Sequence, residues 1–261
     1  MNIATLERRF ASLAARVAPP PAIPSAPEIA RLAGIEPDPW QRAVLTSASP
    51  RLLINCCRQS GKSTTVAVVA AHTVLAVPGA LVLLVSPTLR QSGELFKKAL
   101  AVYRAAGRPV AAESETALTL TLANGSRIVS LPGAEGSVRG YSGPRLIAID
   151  EASRVPDDLY LSLRPMLAVG AGRLVALSTP FGTRGWWYEA WRSAEPWERT
   201  LITAEQVGRI PAAFLAEEAR TLGEWWYRQE YFGEFMDAQS AAFRREDVDA
   251  AFGREVAQWS L

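Results

Sequence analysis

The chain has 261 residues, long for one domain and short for two full ones. With 49% hydrophobic and 21% charged residues it has an ordinary globular composition, with enough apolar mass for a buried sheet. A formal charge of +2 excludes a polyanion-coating protein or an acidic tail, so any nucleic-acid surface must be a local patch. Cys56 and Cys57 are the only thiols and are adjacent, too strained to pair with each other, which points to a reducing compartment. His72 is the only histidine, so a structural zinc site of four Cys and His ligands is excluded, and His72 reads as a packing residue. The N-terminus carries Glu7, Arg8, Arg9 and Arg16 and lacks a signal-peptide core. No apolar run is long enough to span a bilayer.

In chain order, Ile3, Leu6, Phe10, Leu13 and Val17 recur at helical spacing and predict an amphipathic helix. Pro19-Pro20-Pro21 and Pro24 break it and form a stiff linker. Ser25-Ala26-Pro27-Glu28 is a capping box opening a short helix that stops at Gly34. Asp38 caps the next helix, with Pro39 in its first turn. Arg51-Leu52-Leu53-Ile54-Asn55 predicts a strand, and Thr64 to Ala71 a helix of small residues. Leu81 to Val85, Arg145 to Ile149 and Arg173 to Leu177 are continuous apolar runs, the pattern of strands buried on both faces. A helix carrying Lys97, Lys98 and Arg104 follows Ser86-Pro87-Thr88 and ends near Gly107. Asn124-Gly125 joins two segments, 117–122 and 126–131, as a hairpin. Beyond Trp197 the pattern gives a last strand to Thr203, a helix from Pro211 to Leu222 and a second, aromatic-rich helix from Gly223 to Phe232. Strands alternating with helices imply an α/β fold with a mainly parallel central sheet flanked by helices, and the aromatic-rich end reads as a small helical lid or linker.

The chemistry is concentrated where the first strand meets its helix, at Cys56-Cys57-Arg58-Gln59-Ser60-Gly61-Lys62-Ser63. Strand, tight loop and helix in that order aim backbone N–H groups, backed by the positive end of the helix, at a polyphosphate. Lys62 would reach the β- and γ-phosphates and the Ser63 hydroxyl would hold Mg²⁺. The phosphate-loop pattern G-x-x-x-x-G-K-[ST] has Gly where this chain has Cys56, so a plain Gly-Lys-Ser turn is the competing reading. Asp150 ends a buried strand, which brings a carboxylate to the same sheet edge, where it can hold Mg²⁺ through water. Glu151 beside it supplies the base that an enzyme attacking a γ-phosphate with water requires. An acidic pair also favours a solvated helix start. The two motifs together point to ATP hydrolysis.

These residues resemble the ATPase half of the viral (tailed bacteriophage) terminase large subunits, the motors that package DNA into procapsids. The family's Arg-Gln-x-Gly-Lys-[Ser/Thr] loop is similar to Arg58-Gln59-Ser60-Gly61-Lys62-Ser63, and the first loop glycine is often missing there. Trp40-Gln41, Ser86-Pro87-Thr88-Leu89-Arg90-Gln91, Arg139-Gly140, Ser178-Thr179-Pro180 and Tyr231-Phe232-Gly233-Glu234-Phe235 resemble its other motifs in family order, over residues 35–237. The resemblance implies a RecA-like P-loop fold of the ASCE type, with residues 1–34 as N-terminal helix and linker, 35–203 as ATPase core and 204–261 as lid and tail. It implies ATP and Mg²⁺ as cofactors. Trp40 and Gln41 would sit at the adenine, although a buried Trp with a capping Gln fits as well. Gln59, Ser60, Gly61 and Thr64 would complete the phosphate cradle, and Arg58 would reach the γ-phosphate. Thr179 would sense that phosphate, where a simple turn is the plainer account. Arg139 would act as an arginine finger in the neighbouring subunit, with Arg58 in cis as its rival.

Lys97, Arg104, Arg108 and Arg127 are candidate contacts to double-stranded DNA, though a basic helix face is commonly just solvated. By the same resemblance the partners are a homo-oligomeric ring, a pentamer in the family, the portal protein and the small terminase subunit. The place of action is the host cytoplasm, docked on the procapsid portal. The family's nuclease domain needs acids clustered after another strand; Asp237, Glu246, Asp247, Asp249 and Glu255 have none, so no nuclease activity is expected. The competing functions are one lobe of a superfamily-2-like helicase, and a nucleotide-binding ring module without turnover.

Overall fold

The computed structural model describes residues 22–133, 138 and 140–237. The periodic segment 3–17, the triple proline, Arg139 and the acids beyond Asp237 lie outside the described residues. Two short helices come first, α1 (Ala26–Leu32) and α2 (Pro39–Thr46). Both open on capping boxes: Ser25 with Glu28, and Asp38 with Gln41. The core then runs β1 (Arg51–Cys56), α3 (Lys62–Ala76), β2 (Leu81–Ser86), α4 (Leu89–Ala105), β3 (Ala112–Glu115), β4 (Thr119–Leu122) and β5 (Arg127–Pro132). It continues with β6 (Leu146–Asp150), α5 (Asp157–Leu163), β7 (Arg173–Ser178), α6 (Gly185–Arg192), β8 (Glu198–Ile202) and α7 (Ala212–Phe232). Short 3₁₀ turns lie at Ala152–Arg154, Arg164–Leu167 and Ala204–Gln206.

One eight-stranded sheet has the order β3-β4-β5-β2-β6-β7-β1-β8. From β5 to β8 every pairing is parallel; β3 and β4 add an antiparallel edge. The continuous apolar runs are strands covered on both faces, as the sequence implies. Because side chains alternate along a strand, each run feeds two cores. Leu52, Ile54, Val82, Leu84, Ala148, Val175 and Leu177 pack with α1, α3 and α4 on one face. Leu53, Leu83, Val85, Ile147, Ile149, Leu174 and Ala176 pack with α5 and α6 on the other. The Asn124-Gly125 hairpin forms as β4 and β5. The two helices expected on either side of Gly223 are one element with a break: Gly223 has φ 74° and ψ 161°, which interrupts α7. Its Leu215, Tyr227, Tyr231 and Phe232 pack on the first core.

Parallel order puts the carboxyl ends of β6, β7, β1 and β8 side by side along one sheet edge. The loops leaving those ends carry the chemistry.

Candidate active site

A cleft of about 700 Å³ opens over these strand ends. Arg58, Gln59, Ser60, Gly61, Lys62, Ser63 and Thr64 line it from the loop after β1, Glu151 from the loop after β6, and Thr179 from the loop after β7. Cys56, where the phosphate-loop pattern has Gly, belongs to the strand and not to the turn. It is fully buried, and its thiol lies 3.8 Å from the Ile54 and Ser178 carbonyl oxygens. Its side chain packs in the first core with Leu52 and Ile54. Burial pushes the Cys56 thiol up to about 12 and that of Cys57 to about 11, so both are unreactive thiols. Gly61 takes φ 89° immediately before the first turn of α3, the left-handed conformation that glycine adopts at no steric cost.

Two contacts organise the floor. The Ser63 hydroxyl donates to Asp150 Oδ2 at 2.8 Å, and Asp150 Oδ1 accepts from the Glu151 backbone N–H at 3.0 Å. Burial raises the pKa of Asp150 despite the nearby Lys62 ammonium. Lys62 Nζ lies 3.2 Å from Glu151 Oε1. Burial opposes its charge, but the field of Cys56, Glu151 and Asp150 outweighs it, and its pKa is raised. Glu151 itself has φ 52°, a left-handed conformation rare for a residue with a side chain, of the kind that collects at functional sites. Ser63 and Asp150 therefore bring a hydroxyl and a desolvated carboxylate to one point. That hard-oxygen pair fits a Mg²⁺ ion completed by water and phosphate.

Thr179 is buried, and its carbonyl accepts from the Ser153 hydroxyl at 2.9 Å, tying the loop after β7 to the acidic loop. Arg58 pairs through Nε with Glu230 of α7, and its backbone N–H donates to the Glu230 carbonyl at 3.1 Å. Trp40 and Gln41 do not line the cleft. Trp40 packs on the first core, and Gln41 is buried beneath the loop. Its Oε1 accepts from Asp38 N at 2.9 Å and its Nε2 donates to Thr65 Oγ1 at 3.0 Å.

The four basic candidates for DNA are scattered. Lys97 pairs with Glu94 at 2.7 Å and Arg104 pairs with Glu115. Arg108 has φ 52° just after α4, and the Arg127 guanidinium lies 5.9 Å from the Tyr141 ring centre. Five residues to which the sequence reading gave no site role also line the cleft: Gln91 and Lys98 from α4, Arg154, Arg209 and Glu230. Lys98 neighbours the chosen Lys97, and only the helical phase separates the residue facing the cleft from the one facing away. Arg209 and Glu230 lie in no motif, and their position comes from tertiary packing alone.

A mainly parallel sheet in which β1, beside the edge strand β8, runs into a Gly-Lys-Ser loop, with an Asp-Glu pair closing a strand two places away, is a RecA-like P-loop fold. The chain belongs to the terminase large subunit family: the model for the N-terminal part of the T4-like-virus type matches residues 53–249. No curated protein sequence matches the chain. The large terminase ATPase domain of Thermus phage P74-26 is 24% identical, with a TM-score of 0.72 over 80% of this chain and 98% of that one. The large terminase of a further thermophilic bacteriophage, solved with ATP-gamma-S, is 15% identical with a TM-score of 0.61 over 76% of this chain and 53% of that one. That of bacteriophage HK97 is 16% identical with a TM-score of 0.62, covering 76% and 50%. The chain thus spans about half the length of the latter two proteins.

Proposed function

We propose that the chain is the ATP-hydrolysing motor domain of a terminase large subunit, driving double-stranded DNA into a procapsid. The observation that carries this reading is the meeting of Lys62 with Glu151 and of Ser63 with Asp150 at one loop. Lys62 Nζ and Glu151 Oε1 are 3.2 Å apart and form an ion pair. A triphosphate entering the loop offers Lys62 a stronger anion, and the exchange frees the Glu151 carboxylate. Glu151 then accepts a proton from a water that attacks the γ-phosphorus, as the bond from that phosphorus to the ADP oxygen breaks. Ser63 and Asp150 are the residues that would hold Mg²⁺, which supplies charge stabilisation to the phosphoryl oxygens when bound. Arg58, whose Nε pairs with Glu230, would reach the γ-phosphate, and Thr179, whose carbonyl accepts from the Ser153 hydroxyl, would register that phosphate.

Family membership supports ATP as the nucleotide and DNA as the cargo. A pentameric ring, a portal protein and a small terminase subunit as partners, action in the host cytoplasm on the portal, and Arg139 as a finger in trans are part of the same proposal. So are DNA contacts by Lys97, Arg104, Arg108 and Arg127 and the lack of nuclease activity. Lys97 and Arg104 would have to exchange their own acids for DNA phosphate. The test is ATP turnover with and without duplex DNA, in the wild type and in Glu151→Gln. The variant should bind ATP at least as tightly, because Lys62 loses a charged competitor, while turnover falls by about 10²–10⁴-fold. Wild-type turnover in the variant would remove Glu151 from the mechanism. Absence of turnover in a well-folded wild type would leave the nucleotide-binding module as the better reading.

A further inference from the structure

We propose that Arg209 is a nucleoside-contacting residue, with its guanidinium against the base of the bound nucleoside triphosphate at the end of the cleft opposite Glu151. The assignment rests on the nucleotide reading of that cleft and deepens it. Sheet order sets the direction: Glu151 follows β6, Thr179 follows β7, the phosphate loop follows β1, and Arg209 comes in the turn after β8. Lys62 meets Glu151 at the β6 side, which makes that side the γ-phosphate end. The nucleoside then extends past the loop toward β8.

At that end, Arg209 lines the cleft. Its two terminal nitrogens lie 3.4 Å and 3.8 Å from where a Cβ on Gly61 would stand. Its position is built, not incidental. Thr203 N donates to Gln206 Oε1 at 2.9 Å, Val207 N to Ala204 O at 3.1 Å, and Ile210 N to Val207 O at 3.0 Å. Ala204 and Val207 are buried in the first core, with Ile210 packed on it. Asp38, the cap of α2, pairs with one terminal nitrogen of the guanidinium and tethers it, while the side chain stays 45% exposed. Gln41 spends both ends of its amide on Asp38 and Thr65, and the Trp40 Nε1 is buried. The exposed polar and planar surface at this end belongs to Arg209, and a guanidinium stacks on an aromatic ring as readily as it donates hydrogen bonds.

The test is calorimetric binding of ATP and of inorganic tripolyphosphate to the wild type, Arg209→Ala and Arg209→Lys. Arg209→Ala should weaken ATP by about three- to thirtyfold, the range of a guanidinium–ring contact, and leave tripolyphosphate unchanged. Arg209→Lys should not recover the loss, because an ammonium keeps the charge without the plane. Asp38→Asn, which loosens the guanidinium and preserves a capping side chain, should give a smaller loss for ATP alone. It serves in place of Arg209→Ala should that variant unfold. Equal weakening of both ligands would assign Arg209 to the phosphates and overturn the proposal, as would unchanged ATP affinity. A folded wild type that binds neither ligand would overturn the nucleotide reading beneath it.

Discussion

His72 is half-buried in α3, within the field of Arg173. Burial first, and that guanidinium second, hold its pKa below the ordinary 6.5. The folded value lies below the unfolded one, so the native state takes up the proton less readily than the unfolded chain. Its contribution to stability is therefore complete above about pH 6.5 and is lost as pH falls through the folded value. His72→Gln should flatten this dependence, seen as a smaller drop in the urea midpoint between about pH 7.5 and 5.5. The slope removed cannot exceed about 1.4 kcal/mol per pH unit, since one proton is involved. Identical pH profiles for the two proteins would dismiss the assignment. At this scale the sequence was legible wherever chemistry is local. Lys62, Ser63, Asp150 and Glu151 are set by a loop and a strand end, and they meet as expected. Glu230 and Arg209 were not legible, because each reaches the cleft from an element about 150 residues or more along the chain from Arg58 or Gly61.

Among the elements, the buried parallel strands were the easiest to read, since burial on both faces leaves an unbroken apolar run. Strand β3 shows the opposite case. Ala112-Glu113-Ser114-Glu115 is exposed throughout and has neither apolar alternation nor β-branched residues, so only its pairing with β4 makes it a strand. Helices α5 and α6 were also unread, being seven and eight residues long, too short for a 3.6-residue period to stand out. Their packing brings Tyr160 against Trp186 as stacked rings 4.0 Å apart. The turn that feeds β7 carries the tightest backbone approach. A Cβ on Gly172 would stand 2.1 Å from the Pro144 carbonyl oxygen and 2.8 Å from Leu167 Cδ2. A carbonyl at the head of β6 cannot give way without shifting that strand against β7. Gly172→Ala should therefore destabilise the protein by about 1–3 kcal/mol or more, measured by denaturant unfolding. A loss within a few tenths of a kcal/mol would show that the turn moves freely.

On the scale of the whole molecule, α7 and the phosphate loop are joined at Glu230. Glu230 accepts from the Arg58 backbone through its carbonyl and pairs with the Arg58 guanidinium through its carboxylate. The carboxylate is buried, whereas the Arg58 side chain is 60% exposed, so solvent screens part of the attraction. Glu230→Gln should cost about 1 kcal/mol of stability, nearer an exposed pair than the 3–5 kcal/mol of a fully buried one. The sharper expectation is local. Amide exchange should quicken in the last turns of α7 while the central strands keep their protection. Uniform change across the chain, or none in α7, would deny the pair its place as the joint between the two parts. The helical character of α7 was readable in the sequence, but its docking was not, because it depends on an acid whose partner is 172 positions away.

The segment Gly233–Asp237 has a mechanical meaning. The Asn55 amide donates to the Gly233 carbonyl at 2.7 Å, the Trp225 indole to the Asp237 carbonyl at 2.8 Å, and Gly182 N to Gln229 Oε1 at 3.2 Å; Thr183 bonds the Asp237 carboxylate. These rivets fasten the segment around Gly233 to β1 and to the loop after β7, two structures that frame the cleft. A displacement of β1 or of the loop after β7 is passed to that segment through these bonds. The load path is thus a few residues long, and a shift of the phosphate loop and a tug on that segment act on the same small set of bonds.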